Sequence, residues 1–463
     1  MALLIRNGRI VTATDNYVAD IFCTGESVSR IERRIDPATV AGAEVIDGTG
    51  KYVFPGFIDP HVHVYLPFMG TYAKDTWETV SKAALVGGTT SLIEMICPGR
   101  NDEPLAAYEL WRGKAEGVSA CDFTFHMGVS RFDVGAEAQL REVVRQGVRS
   151  FKVFLAYKGA LGIDDRELYR TLMLARELGV VVTAHCENET LVDERQKELI
   201  AAGKTGPEFH EPSRPVRVEA EGVHHLMTFA ELTGAAVYIV HTSCPEAVEE
   251  ARRAIDRGVR ATIEVVLPHL ILDRSYAEQP GFVGAKYVMS PPLREKGKQA
   301  AMWNHLASGL VSTVGTDHAP FDFETQKVMG RGDFTKIPNG IPSVEDRVNL
   351  LFTHGVCTGK ISLNRFVDAA STQAARVFGL RGKGTIAVGA DADLVVYDPD
   401  YRGVISAASH SMATDYSAFE GWEIKGRPSA VTLRGEVVAR DGKFTGKKGA
   451  GHQILRGEPG LAG

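Results

Sequence analysis

The chain is organised around one short stretch, Pro55-Gly-Phe-Ile-Asp-Pro-His-Val-His63. With the apolar residues 52–54, it predicts a buried strand that Pro55-Gly56 interrupts near its end and that finishes in two histidines. Side chains two positions apart in an extended chain point the same way, so His61 and His63 face one side together. Two converging imidazoles form half of a metal site. An isolated His-x-His is equally typical of a loop histidine beside a structural one, so the rest of the chain must distinguish the two.

Composition excludes several classes of protein. The chain has 463 residues, which suits one large domain with a smaller one. It carries 52 basic and 58 acidic residues without a basic stripe, so we expect no nucleic-acid partner. No apolar run is long enough to span a bilayer, so we expect no membrane association. The six cysteines are scattered and form no Cys-x-x-Cys, which predicts a reduced, cytoplasmic protein.

The middle of the chain alternates between apolar strand-like runs and helical patterns. Runs lie near 52–58, 89–95, 121–129, 150–156, 179–185, 236–241, 260–266 and 311–316, and helical patterns include 165–178, 216–232 and 246–257. This alternation indicates a parallel α/β fold. Eight runs favour a closed (β/α)8 TIM barrel, whose catalytic residues sit at the carboxyl ends of different strands. An open doubly wound sheet is the alternative, but no glycine-rich phosphate fingerprint follows an early strand.

Both ends of the chain read as short strands and turns. Asn7-Gly8 is a hairpin signal, and residues 431–439 also read as a hairpin. Neither end has enough strands for a stable sheet, so we expect 1–54 and 382–445 to form one smaller β-sandwich domain. The barrel would span 55–381. The remaining residues, 446–463, are a glycine-rich polar tail that is either disordered or docked on a neighbouring subunit.

Candidate metal ligands follow several of the apolar runs. They are His61 and His63 on the first run, Lys152 on the fourth, His185 on the fifth, His241 on the sixth and Asp317 on the eighth. In a barrel these positions meet at one mouth. One histidine after a β-branched run is typical of packing, but four histidines and an aspartate at strand ends predict metal binding.

Several longer motifs carry a family resemblance. They are residues 55–63, Gly87-Gly-Thr-Thr90, Ser150-Phe-Lys-Val-Phe-Leu-Ala-Tyr-Lys158, Ala184-His-Cys-Glu-Asn188, Ser290-Pro-Pro-Leu-Arg294, Thr316-Asp-His318, Pro338-Asn-Gly-Ile-Pro-Ser-Val-Glu-Asp-Arg347 and the Gly-Ala-Asp-Ala-Asp-Leu-Val stretch at 389–395. With these motifs the chain resembles the amidohydrolase superfamily, and within it the dihydropyrimidinase/hydantoinase group. The matching motifs run through nearly the whole barrel and into the terminal β domain.

The resemblance implies a binuclear zinc centre. His61, His63 and Asp317 would hold one Zn2+, His185 and His241 the second, and Lys152, as a carbamate (N6-carboxylysine), would bridge them with a hydroxide. Asp317 would take the proton of the attacking water and pass it to the leaving ring nitrogen. Tyr157 resembles the tyrosine that donates to the oxyanion. The reaction would open a cyclic amide to an N-carbamoyl amino acid, in an enzyme expected to be a homotetramer.

The same resemblance suggests how a substrate is held. Backbone groups at Ser290 and Asn339 would match the alternating N–H and C=O groups of the ring. Apolar residues of the loops after the first and fourth strands would line the pocket for the ring substituent, since such loops commonly carry specificity; these are Leu66, Phe68, Phe154 and Leu161. One stretch departs from the family pattern: near the seventh strand the chain has Ile263-Glu-Val-Val-Leu-Pro-His-Leu270, where relatives often carry Cys and Gln or Tyr. We expect altered packing or pocket lining there, with His269 structural.

Three functions remain open at this stage. The first is hydrolysis of dihydropyrimidines or 5-substituted hydantoins, and the sequence does not choose between these substrates. The second is allantoinase activity, which uses the same ligand set; Tyr157 and the loop Pro338-Asn-Gly340 favour the first. The third is a non-catalytic structural relative, which the filled ligand positions disfavour.

Overall fold

The computed structural model describes residues 2–460, and the middle of the chain forms a barrel of eight parallel strands. In chain order these strands are β1 (Phe57–Val62), β2 (Thr89–Ile96), β3 (Asp122–Gly128), β4 (Ser150–Phe154), β5 (Val181–His185), β6 (Val237–Ile239), β7 (Ala261–Val266) and β8 (Val311–Gly315). Each pairs with the next in sequence, and a parallel bridge between Val62 and His318 links the last strand's end to the first. The expected (β/α)8 barrel is confirmed.

The first apolar run divides between two sheets, which corrects the expectation of one strand through 52–58. Tyr52–Pro55 pairs with strands of the terminal sheet, and the barrel strand begins only at Phe57. The chain crosses at Gly56, where a Cβ would lie 2.1 Å from the Thr90 hydroxyl oxygen. Only glycine fits this approach, so Pro55-Gly56 is the junction between the two sheets.

The smaller β domain is one hydrogen-bonded sheet of nine strands from both ends of the chain. Its strands are Ala2–Val11, Asn16–Thr24, Ser27–Glu32, Glu44–Asp47, Tyr52–Pro55, Leu394–Val404, Glu423–Leu433, Glu436–Arg440 and Lys443–Phe444. The predicted hairpin at 431–439 is present. The prediction at Asn7-Gly8 is wrong: Asn7, with φ 57°, lies inside the first strand, where the pairing register shifts between Ile5 and Gly8. The Asn-Gly signal therefore marks a bulge and not a turn.

Helices follow the barrel strands and cover them from outside. The α-helices are Trp77–Val86, Pro104–Ala115, Val134–Arg145, Asp165–Leu178, Glu189–Ala201, His210–Ser213, Val216–Thr233, Pro245–Asp256, Leu267–Ile271, Gln299–Ser308, Arg347–Leu351, Leu363–Val367 and Gln373–Phe378. Predicted helix 165–178 has these bounds, because an Asp164 capping box begins it and Gly179, at φ 62°, ends it. Across residues 2–460, every helix is too short or too polar to cross a bilayer.

The C-terminal tail lies on the chain's own barrel, at the amino ends of β3 and β4. Phe123 exchanges backbone hydrogen bonds with His452 and Ile454. Arg456 is buried and donates to the Phe125 carbonyl oxygen and to Ser150 Oγ at 2.7 and 2.8 Å. The described part of the tail therefore docks on the chain's own barrel.

Candidate metal centre

The carboxyl ends of five barrel strands bring the six predicted ligands together at one mouth. Asp317 Oδ1 lies 3.1 Å from His61 Nε2 and 3.2 Å from His63 Nε2. On the other side, His185 Nδ1 lies 3.0 Å from His241 Nε2. One ligand atom from each of His61, His241 and Asp317 lies within 4.8 Å of the other two, a spacing at which these residues can bind metal.

Lys152 lies within this cluster without a hydrogen-bond partner among the described residues. Its side chain is fully buried at the fourth strand, and Nζ lies 4.7 Å from the centre of the Phe154 ring. Burial lowers the pKa of the Lys152 amine, because an ammonium is costly to remove from water. A buried amine without a hydrogen-bond partner is unfavourable. The Lys152 side chain is therefore suited to a chemical modification or to a contact with a bound ligand.

The donor set fits metal ions. Nε2 of His61 lies close to Asp317 Oδ1 but makes no hydrogen bond within residues 2–460. A nitrogen and an oxygen that bind the same metal ion have this arrangement. Burial lowers the pKa of His63 to about 4 and that of His241 well below its usual value. These rings therefore stay neutral and offer lone pairs. Asp317 is anionic: burial raises its pKa, but His61 and His63 outweigh burial and bring it to about 2.

Glu264 on β7 orients this centre from below. Its Oε1 lies 2.8 Å from His61 Nδ1 and also accepts the His241 backbone N–H at 2.8 Å, while Oε2 accepts the Tyr238 hydroxyl. Such a contact fixes the tautomer of a ligating imidazole. Sequence reasoning missed this role and expected only packing or pocket lining at β7. A lone glutamate inside the apolar run Ile263-Glu-Val-Val266 was the available signal, since a buried charge requires a partner.

Glu187 and Arg214 support the opposite side. Glu187 Oε2 lies 2.8 Å from His185 Nε2 and accepts from Arg214 Nη1 at 2.5 Å. Burial raises the pKa of Glu187, but Arg214 and His185 outweigh it and bring the pKa to about 2. The Arg214 guanidinium also lies 5.4 Å from the centre of the Tyr157 ring. Arg214 follows no strand, so no pattern in the sequence marked it.

A cavity of about 50 Å³ lies directly above the cluster. Apart from His61, every predicted site residue lines it: His63, Lys152, His185, His241, Asp317, Tyr157, Ser290, Asn339, Leu66, Phe68, Phe154 and Leu161. Phe68, Tyr157, Leu161 and Asn339 also line a larger cavity of about 570 Å³ outside it. The cluster therefore communicates with space for a bulky group.

Tyr157 is held in an uncommon conformation beside this cavity. Its φ is 62°, a left-handed value that is rare for an aromatic residue, and its backbone N–H donates to Glu189 Oε2 at 2.5 Å. Burial raises the pKa of the Tyr157 hydroxyl, which keeps its proton at neutral pH. Across the cavity, Asn339 Nδ2 donates to Ser290 Oγ at 2.9 Å, which ties the loops that carry these two residues together.

Known proteins match this chain over almost its whole length. The model of the amidohydrolase family matches residues 52–438. A D-hydantoinase of Geobacillus stearothermophilus is 48% identical over 463 residues, covering 99% of this chain and 98% of the relative. A dihydropyrimidinase of Dictyostelium discoideum is 36% identical, covering 98% and 90%.

Among solved structures, a D-hydantoinase (dihydropyrimidinase) from a Thermus species superposes with a TM-score of 0.96. It is 60% identical, and the match covers 99% of both chains. Family, sequence and fold agree over almost the full length. The chain belongs to the amidohydrolase family, and within it to the group of D-hydantoinases and dihydropyrimidinases.

Proposed function

We propose that this enzyme hydrolyses the cyclic amide bond of 5-substituted hydantoins or dihydropyrimidines and releases an N-carbamoyl amino acid. The observation that carries the proposal is the single cavity lined by Asp317, Tyr157, Ser290 and Asn339 together with the ligand cluster. It holds a carboxylate for proton transfer, a hydroxyl donor and a polar edge for a ring. The names of the relatives, D-hydantoinase and dihydropyrimidinase, agree with this chemistry.

The metal centre that we propose has two zinc ions. His61, His63 and Asp317 would hold one, His185 and His241 the other, and carbamylated Lys152 would bridge them. When bound, the ions supply Lewis acidity and make water acidic enough to act as a nucleophile near neutral pH. A carbamate suits the bridge because it has two oxygens and a negative charge. Lys152 can form it from its neutral amine and carbon dioxide, and burial favours the neutral amine.

The protein's own groups perform the proton transfers. Asp317, whose pKa of about 2 keeps it ionised, accepts the proton of the attacking water and delivers it to the leaving ring nitrogen. Tyr157 keeps its hydroxyl proton and donates a hydrogen bond to the carbonyl oxygen as negative charge develops there. Glu264 and Glu187 hold the rings of His61 and His185 in orientation.

Different walls of the cavity contact the ring of the substrate and its substituent. Main-chain groups at Ser290 and Asn339 match the amide edge of the ring, while Leu66, Phe68, Phe154 and Leu161 pack on the substituent. The adjoining space of about 570 Å³ supports rings that carry a bulky group at the 5-position over unsubstituted dihydrouracil. We therefore propose 5-substituted hydantoins as the better substrates.

A rate comparison tests the proposal. The zinc-loaded enzyme is assayed with 5-phenylhydantoin, dihydrouracil and allantoin under the same conditions. We expect the highest kcat/KM for phenylhydantoin, measurable turnover of dihydrouracil and little turnover of allantoin. A preference for allantoin would show that the enzyme is an allantoinase instead. A fully metallated protein that opens none of the three rings would refute it.

A further inference from the structure

Lys327 is a buried lysine outside the metal centre. Its side chain is fully buried, and Nζ donates to the backbone carbonyl oxygens of Val288 at 3.1 Å and Pro338 at 3.0 Å. No carboxylate forms an ion pair with it anywhere in residues 2–460. Burying a lysine without a counter-charge is unfavourable. The two backbone carbonyl oxygens are therefore the groups that compensate for the burial of Nζ.

The two carbonyl groups belong to the two loops that form the proposed ring edge. Val288 precedes Ser290 by two residues, and Pro338 directly precedes Asn339. The Val288 carbonyl oxygen also accepts the Gly340 backbone N–H at 2.9 Å, so it is shared between Lys327 and the opposite loop. Lys327 thus bridges the two loops, and the Asn339–Ser290 side-chain hydrogen bond is a second link between them.

His210 holds one of these loops from the same side. Its Nε2 lies 2.8 Å from the Met289 carbonyl oxygen and 3.3 Å from Ser290 Oγ. The carbonyls of Val288 and Met289 are therefore both engaged by buried side chains, and Ser290 follows next. Val288, Ser290, Pro338 and Asn339 all lie outside helices and strands, so these contacts fix their positions in place of regular backbone pairing.

We infer that Lys327 is a positioning residue that sets the spacing between Ser290 and Asn339, and so the fit of the enzyme to the amide edge of a cyclic substrate. This inference rests on the proposed function, because it assumes that these two loops hold the ring. Burial lowers the pKa of Lys327 to about 7. The neutral amine still has two N–H donors for its two carbonyls, so the bridge persists on both sides of that pH.

Three variants test the role of Lys327. Lys327→Met keeps the length of the side chain and removes its donors. Lys327→Gln keeps an N–H donor group on a shorter side chain. Lys336→Met is the matched control, since Lys336 is an exposed lysine of the same region whose side chain pairs with Asp333. Each protein is measured for bound metal, for KM and kcat on 5-phenylhydantoin, and for KM on succinimide, a cyclic imide with a shorter polar edge.

Lys327→Met should raise KM for phenylhydantoin about tenfold, the loss expected for one or two buried hydrogen bonds, while kcat changes much less. Metal content should be unchanged, KM for succinimide should rise less, and Lys327→Gln should restore part of the affinity. Lys336→Met should match the wild type. A merely structural role would instead lower activity on both substrates equally, together with thermal stability.

Amide hydrogen exchange in the metal-loaded protein gives a readout that needs no turnover. Residues 288–290 and 339–340 should exchange faster in Lys327→Met than in the wild type, while the strand ends at the metal centre do not change. Unchanged exchange, or an unchanged KM in a folded variant, overturns the inference. If Lys327→Met does not fold, Lys327→Gln is judged by the same two criteria. Failure of the proposed function has a different signature, namely a metallated wild type that opens no ring.

Discussion

Glu264 and His61 form a fully buried pair, with Oε1 of the glutamate 2.8 Å from Nδ1 of the imidazole. The pair comes from β7 and β1, which are far apart in the chain, and it leaves Nε2 of His61 facing Asp317 Oδ1 at 3.1 Å. A carboxylate in this position fixes the ring and strengthens it as a ligand.

Replacing Glu264 by glutamine should weaken metal binding without unfolding the barrel. The neutral amide oxygen accepts the imidazole N–H more weakly than a carboxylate does, so the affinity for zinc should fall by about 10- to 100-fold. Competition with a chelator measures the change. Glu246→Gln, on the outer helix Pro245–Asp256, is the control and should bind zinc like the wild type. Equal affinities for Glu264→Gln and wild type would contradict the role of the pair.

Lys152→Ala should lose the binuclear centre and nearly all activity, because the anionic bridge disappears. Acetate or propionate added with zinc should partly restore turnover by occupying the vacated space, whereas Lys152→Arg should resist rescue because it keeps a positive charge. Metal analysis and assays with and without the acid measure this. Lys158→Ala, an exposed lysine on the following loop, serves as control. Two tightly bound metals and near-normal turnover in Lys152→Ala would refute a carbamate bridge.

Enlarging the pocket should change substrate preference and not the chemistry. Leu66→Ala and Phe154→Ala remove apolar surface from the cavity wall, so kcat/KM should shift among hydantoins with substituents of different size while zinc content stays constant. The ratio of rates for phenyl- and methyl-substituted rings is the informative quantity. Rate losses of the same size on every ring would show that these residues do not select the substituent.

The tail should contribute to folding stability. Arg456→Met removes the buried hydrogen bonds to Phe125 and Ser150, which should lower the free energy of unfolding by about 1–3 kcal/mol. Urea unfolding measures it, with the exposed neighbour changed in Leu455→Ala as control. If the tail served a neighbouring subunit instead, deletion of 447–463 would lower the oligomer mass in light scattering with little effect on stability. We expect the opposite pattern, with the proposed homotetramer retained.

His410 should make stability fall at alkaline pH. Burial lowers its pKa, but the hydrogen bond to Asp346 at 3.1 Å and the charges of Asp346, Glu345 and Glu420 raise it to about 9. The unfolded value is about 6.5. The stabilisation is therefore complete below that pH and is lost as pH rises through about 9. Urea midpoints from pH 6 to 9.5 should decline less in His410→Gln, whereas exposed His452→Gln should follow the wild type.

Much of the fold could be predicted from the sequence. Parallel strands buried on both sides are continuous apolar runs, and eight such runs alternating with amphipathic helices fit a barrel. The ligand candidates were visible for the same local reason, since each stands at the end of an apolar run and such ends meet at one mouth. The failures were local too: Asn7-Gly8 became a bulge and Pro55-Gly56 a junction, because the pairing partner determines what a turn signal does.

The groups that the supporting residues contact could not be predicted from the sequence. Glu264, Arg214 and Lys327 act on groups far away in the chain, and no spacing rule connects a charged residue to a partner that only folding brings near. Their functions depend on distances of a few ångströms between different loops and strands. Local hydrophobic pattern sets the strands and their ends, whereas burial of each charge is compensated only by contacts that exist in the folded chain.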